Sequence, residues 1–60
     1  MKEYVVTIEI YHGKGKVELR RINVEAGNKR LAMARGLREA GTWKDCENLY
    51  KSVRSVDPVI

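Results

Sequence analysis

Residues 3–12, EYVVTIEIYH, alternate between two sets of side chains. Successive residues of a β-strand point to opposite sides, so this period of two predicts a strand with one buried face and one wetter face. One face carries Tyr4, Val6, Ile8 and Ile10, and the other carries Val5, Thr7, Glu9 and Tyr11. Because this segment is the most regular and apolar of the chain, we expect it to be the central strand of a sheet.

The next apolar segment, KVELRRINVEA at residues 16–26, changes phase in its middle. Its four apolar residues are Val17, Leu19, Ile22 and Val24. The first two are in phase with each other, and the last two are one step off. An extra residue in one strand of an antiparallel pair produces such a change. We therefore predict a second strand with a β-bulge at Arg20-Arg21; a twisted edge strand without a bulge is the alternative.

The connection between these strands is HGKGK, residues 12–16. Glycine adopts positive φ without steric cost, which tight hairpin turns require. A Walker-type phosphate loop, GxxxxGK[ST], lies between a strand and a helix, and here no hydroxyl residue follows Lys16. We therefore predict a hairpin turn over residues 13–15, with no more than a weak anion contact from Lys14 and Lys16.

Residues 28–41, NKRLAMARGLREAG, have the signals of a helix. Asn28 is a favoured N-cap residue, and Gly41 stands where glycine often ends a helix. The apolar residues at helical spacing are Leu31, Met33, Ala34, Leu37 and Ala40. This spacing predicts one apolar side that covers the sheet. Gly36 lies off that side; we interpret it as a tolerated imperfection, and close approach of another backbone is the alternative.

The remaining segment, TWKDCENLYKSVRSVDPVI, predicts a short turn and a third strand. Thr42 and Asp45 have the spacing of a capping box, which favours a short helical turn over residues 43–48. Residues 49–56 form the predicted strand, which ends at Pro58. Leu49 and Val53 are expected on one face, with Tyr50 and Val56 on the other.

The order β-β-α-β predicts one α+β domain over residues 1–60. A hairpin followed by a helix hides one sheet face under that helix. The third strand runs parallel to the second, and its economical place is beside the first, which gives an antiparallel sheet of order 2-1-3 with a right-handed crossover. The predicted core is Tyr4, Val6, Ile8, Ile10, Val17, Leu19, Leu31, Ala34, Leu37 and Val53.

Several classes of protein are disfavoured by composition. A chain with one cysteine, Cys46, and one histidine, His12, has neither an internal disulfide nor a four-ligand zinc site. These two residues lie on different predicted loops, and the eight carboxylates are scattered. We therefore expect no catalytic activity, no cofactor and no metal. Without a signal-peptide pattern or a long apolar run, the expected location is the cytoplasm, with no membrane contact.

The charge distribution is uneven. The net charge is +4, but residues 20–38 alone carry six basic residues against Glu25. These candidate binding residues are Arg20, Arg21, Lys29, Arg30, Arg35 and Arg38. Arginine suits bidentate contacts with carboxylates and phosphates. We predict a face that binds an acidic protein surface; the alternatives are nucleic acid, a merely solvated basic face and a purely structural subunit. A homodimer through a sheet edge is a further open alternative.

The segments YVVTIEI, VELRRINVEA, NKRLAMARGLREA and YKSVRSVDPV resemble, in size and order, small early proteins of bacteriophages. These include the short podophage inhibitor of bacterial RNA polymerase. The most specific part is residues 53–58, in which an arginine precedes a valine and a proline. The resemblance implies a β-β-α-β protein that acts by binding a host enzyme without catalysis. The helix here is basic where that inhibitor is acidic, so polymerase is not carried over as the target.

Overall fold

The computed structural model describes residues 1–59 of the chain. Its elements are β1 (Lys2–Gly13), β2 (Lys16–Ala26), α1 (Lys29–Ala40) and β3 (Tyr50–Pro58). The strands form an antiparallel sheet of order β2-β1-β3, with α1 packed on one face. The predicted α+β class and strand order are therefore confirmed. No helix in the described part of the chain is long and apolar enough to cross a membrane.

The core lies between β1 and α1. The alternation in β1 holds, because Tyr4, Val6, Ile8 and Ile10 are all buried on the side of the helix. On the opposite face, which has no helix and is called the open face below, Thr7 is also buried beneath its neighbours in the sheet. Strand β1 pairs with β2 on one side and β3 on the other, which makes it the central strand as predicted.

Helix α1 packs on the sheet through its smallest residues. Ala32, Gly36 and Ala40, spaced four apart, are its buried positions. A Cβ atom on Gly36 would lie 2.6 Å from Cγ1 of Val6, so the helix backbone directly contacts β1 at this point. The prediction that Gly36 is a tolerated imperfection is wrong. The alternative, close approach of another backbone, is not what the structure has either: the atoms that approach Gly36 belong to the side chain of Val6.

The larger apolar residues of α1 are therefore displaced from the core. Leu31, Ala34 and Leu37 were predicted to be buried, and all three are exposed. The physical reason is the short distance between the helix and β1. The small side chains bring the two so close that a leucine does not fit between them, and the leucines therefore lie outside the core. Only Ala40 of the predicted apolar side is buried.

Strand β2 runs without the predicted bulge. Its pairing with β1 keeps one register from Lys2–Ala26 to Tyr11–Val17, and shifts only near the hairpin. Arg20, not Leu19, therefore lies on the helix side of the sheet, where it pairs with Ile8. Val17 and Leu19, both predicted in the core, lie on the open face at 46% and 45% exposure. The residues of β2 alternate without a break, so the register that puts Ile22 and Val24 on the helix side also puts Arg20 and Glu18 there. These polar residues lie where the helix itself no longer covers the sheet.

The sheet does contain a bulge, but in β3. Thr7 pairs with Ser55 and Ile8 with Val53, so Arg54 is the extra residue. The bulge brings Val53 and Val56 to the same side, where both pack against the core. The prediction that Val56 shares a face with Tyr50 is therefore wrong.

The connection from α1 to β3 is a series of turns, not the predicted helical turn. The hydroxyl of Thr42 donates to the carbonyl oxygen of Glu39 at 2.7 Å instead of capping a new helix. Gly41 ends α1 in the right-handed region, with φ −67°. The connection also contributes Cys46, buried at 3% exposure, to the end of the core beyond the helix.

The predicted hairpin turn between β1 and β2 is present. Gly13, Lys14 and Gly15 all have positive φ, at 85°, 54° and 76°. Positive φ at both central residues, Lys14 and Gly15, is the pattern of the hairpin turn whose twist matches the strands. Glycine is therefore required by the backbone here, and no ligand is needed to explain it.

Candidate binding surface

The six predicted basic residues do not form one surface. Arg20 and Arg21 are consecutive in β2 and so point to opposite faces of the sheet. Lys29 and Arg30 open α1, and Arg35 and Arg38 lie further along it. The four helical residues share one element but are spread around it. Arg21 lies on the open face, away from the helix.

Arg20 is occupied within the chain. Its Nε donates to Glu18 Oε2 at 2.6 Å, and its Nη2 donates to Asp45 Oδ2 at 2.6 Å. The guanidinium also lies 5.0 Å from the ring centroid of Trp43. Glu18 is completed by His12, whose Nε2 is 2.8 Å from Oε1. Arg20 thus ties β2 to the connection before β3, and its charge is balanced by two carboxylates.

The charges of this cluster are mutually stabilised. Hydrogen bonds from Arg20 and then from His12 lower the pKa of Glu18 below its ordinary value of 4.5. The hydrogen bond from Arg20 lowers the pKa of Asp45 below 3.8 in the same way. The two carboxylates raise the pKa of Arg20. This arrangement is a structural ion cluster, with its donors already satisfied.

Arg35 anchors the helix to the end of β2. Its Nη1 donates to the carbonyl oxygen of Glu25 at 2.6 Å. Beside this contact lies a shallow groove of about 590 Å³ between α1 and β2. It is lined by Val24, Glu25, Arg35, Arg38, Glu39 and Thr42. Arg35 and Arg38 share this lining with Glu39, which gives the groove a mixed charge that does not favour a free anion.

The outer face of α1 is the most distinctive exposed surface. We use this name for the apolar residues Leu31, Met33, Ala34 and Leu37 together with Arg30 and Arg38, all exposed. Asn28 sets the start of the helix by accepting a hydrogen bond from the Leu31 amide at 2.9 Å. At about 100° per residue, the apolar and arginine side chains alternate around the same half of the helix.

The start of α1 breaks a local electrostatic rule. The first turn contains no acidic residue and begins with Lys29 and Arg30. Cations near a helix N-terminus oppose the macrodipole, at a cost of roughly 0.3–1 kcal/mol each. Neither side chain forms an ion pair within residues 1–59. Charges kept at a cost to stability are typical of residues with a role outside the fold.

A smaller aromatic patch lies on the open face. The rings of Tyr11 and Tyr50 are 5.3 Å apart, and Tyr50 is 70% exposed. Val17, the partner of Tyr11 in β2, extends this patch. Arg54 lies nearby and approaches Glu9 at 3.5 Å. These tyrosines are far apart in sequence, and only the pairing of β1 with β3 brings them side by side.

The exposed surfaces described above carry apolar, aromatic and arginine side chains. Among residues 1–59, no group of three histidine, cysteine or acidic residues is arranged to hold a metal ion. Sequence analysis found the arginines of the outer face but assigned its leucines to the core. The unusual run of small residues four apart, Ala32, Gly36 and Ala40, is the signal that could have identified the packing side. Comparison with protein-family models, with curated proteins and with solved structures finds no match.

Proposed function

We propose that the protein is a small non-catalytic binding protein that docks the outer face of α1 on an acidic and partly apolar surface of a protein partner. The observation that carries the proposal is the exposure of Leu31, Met33 and Leu37, at 43–49%, on a folded helix. A helix of a small domain ordinarily buries such side chains. Here their burial requires a second molecule.

The arginines define the chemistry of that partner. Arg30 and Arg38 lie among the exposed apolar residues, and neither forms an ion pair within residues 1–59. Interfaces favour an apolar centre with arginine, and they disfavour lysine at the centre. A complementary surface therefore offers carboxylates around a shallow apolar groove. The single cysteine agrees with action in the cytoplasm, which is part of this proposal.

The decisive experiment is capture from a bacterial lysate, with and without nuclease, followed by titration of the captured protein. Two variants remove the surface: Arg30→Glu with Arg38→Glu, and Leu31→Ser with Leu37→Ser. All four positions are exposed, so the fold is retained. Lys16→Glu with Lys44→Glu is the matched control, because it changes the net charge equally at exposed positions away from α1.

Nuclease-resistant capture that both surface variants abolish and the control preserves supports the proposal. Equal loss in the control variant contradicts it, because general charge would then explain binding. Arg35 is left unchanged in these variants, since it also bonds to the backbone of β2.

Nucleic acid is the second candidate, and the tyrosine pair is the observation in its favour. Exposed aromatic rings on a sheet can stack with bases, and Arg21 and Arg54 share the open face. Binding that nuclease removes, that falls steeply with salt and that Tyr50→Ala weakens selects this candidate. The outer-face leucine variant should then bind normally.

A further inference from the structure

The outer edge of β2 is a regular strand whose outward backbone groups have no partner strand, although the Glu25 carbonyl already accepts from Arg35. The Glu3 carbonyl accepts from the Val59 amide at 2.9 Å, so Glu3 points its backbone groups toward β3. Its partner Glu25 must then point away from β1, and the Arg35 bond to the Glu25 carbonyl agrees. Backbone groups alternate in direction along a strand without a bulge. Those of Arg21 and Asn23 therefore point outward like those of Glu25.

The opposite edge of the sheet is protected, and this contrast is informative. Strand β3 contains the bulge at Arg54 and ends at Pro58. Bulges and prolines are devices that prevent pairing with further strands. Strand β2 has 11 residues and contains neither device. Such an edge is a template for strand addition.

The side chains of β2 indicate which strand is added. On the open face, Glu25 lies opposite Glu3, a like-charge pair that destabilises a sheet. Arg21 lies opposite the neutral Thr7. Neither Arg21 nor Glu25 forms an ion pair within residues 1–59. We propose that two copies of the chain pair antiparallel through their β2 edges, with Asn23 on the twofold axis.

In this register Arg21 and Glu25 form two ion pairs between the copies, one on each side of the twofold axis. Residues directly opposite in an antiparallel pair share a face, so Arg21 of each copy lies opposite Glu25 of the other. On the helix side, Ile22 lies opposite Val24 of the second copy, and both residues are half-buried in the single chain. The two sheets become one sheet of six strands, with both helices on the same face.

Other registers are less favourable. With Arg21 on the axis, the two copies of Arg21 lie opposite each other. In a separate register with Arg20 on the axis, the two copies of Arg20 do so. With Leu19 on the axis, Glu18 would lie opposite Arg20 of the second copy. Those two residues already bond to each other within the chain, so that register adds no new charge pair.

A charge exchange tests the partner and the register together. Sedimentation equilibrium should give twice the mass of one 6.9 kDa chain as the concentration rises. Arg21→Glu or Glu25→Arg alone should weaken the dimer by about ten-fold or more, since each creates two like-charge pairs. The double variant R21E/E25R should restore it. A chain that stays monomeric at millimolar concentration, or a dimer indifferent to both single changes, overturns the proposal.

Cysteine cross-linking tests the axis without relying on charge. Asn23→Cys should form an interchain disulfide on mild oxidation, because Cα atoms in such a pair are about 5.5 Å apart. Leu19→Cys is the matched control, on the same edge and also exposed, and should not cross-link. The native Cys46 is buried and stays unchanged. Preferential cross-linking of Leu19→Cys, or equal cross-linking of both, overturns the Asn23 register.

Discussion

At the scale of the residue, Gly36 decides how the helix sits on the sheet. A hydrogen in place of a side chain lets α1 contact Val6 directly, and Ala32 and Ala40 continue that contact along the helix. The helix is held in one rotation about its axis, since any larger side chain turned toward β1 would push it outward. The exposure of Leu31 and Leu37 is therefore a consequence of this one position.

We expect Gly36→Ala to destabilise the fold by about 1 kcal/mol, although alanine favours helices by a similar amount over glycine. The added Cβ would contact Val6 at 2.6 Å, and overpacking costs roughly 1–3 kcal/mol. Urea denaturation measures the free energy of unfolding. In a Val6→Ala background, the same change should cost less, because the contact with Cγ1 is gone and only the contact with the Cβ of residue 6, at 2.9 Å, remains. Stabilisation in the native background would contradict the close contact.

The ion cluster around Arg20 predicts acid sensitivity. The folded state lowers the pKa of Glu18 and Asp45, so the fold holds fewer protons there than the unfolded chain. Their contribution is present above the ordinary values of 4.5 and 3.8 and is lost as pH falls through the lowered values. Asp45→Asn should reduce the loss of stability between about pH 6 and pH 3. Glu47→Gln, on the same connection, is the control and should lose stability on acidification as the parent does.

At the scale of the element, β1 was predictable and α1 was only half predictable. The period of two in β1 reflects burial on one side, and nothing competes with it. In α1, the leucines and the small residues define two different sides of the same helix, and hydrophobicity favours the leucines. Which side faces the sheet depends on the fit to Val6, a contact between distant parts of the chain that local periodicity does not contain.

The hairpin between β1 and β2 provides a prediction of its own. Gly15→Val should destabilise the fold by about 1–2 kcal/mol, because a residue with a Cβ is strained at positive φ and valine is branched there. No atom lies within 4 Å of a Cβ at this position, so we assign the cost to the backbone conformation. Thermal unfolding followed by circular dichroism measures it. Lys14→Asn is the matched control, because asparagine tolerates positive φ. The melting temperature of this variant should equal or exceed that of the parent.

At the scale of the whole molecule, the sheet order follows from the sequence, but the surfaces do not. Element order and the regular apolar pattern of residues 3–12 were sufficient to place β1 between its neighbours. The basic surface was predicted from residues close in sequence. In the fold, Arg20 turns inward to Asp45, 25 residues away, while Arg21 turns to the opposite face. Charge clusters in sequence divide between faces wherever they lie on a strand.

Backbone amide exchange tests the architecture as a whole. We expect the slowest exchange in residues 5–10 of β1, because this segment is paired on both sides and covered by α1. In dilute protein the amides of Arg21 and Asn23 should exchange quickly, since they point to the free edge. The slowest amides in β2 or β3 would contradict the central position of β1.

The bulge at Arg54 has a consequence for how assembly ends. Without Arg54, residues 53, 55, 56 and 57 would alternate in the normal way, with Val53 and Val56 still facing the core. Deletion of this residue should therefore preserve the fold while it straightens the edge of β3. A dimer joined through β2 would then carry a competent edge at each end. In the proposed dimer, one inserted residue would separate a closed pair from an open filament, in which six-stranded units add without limit.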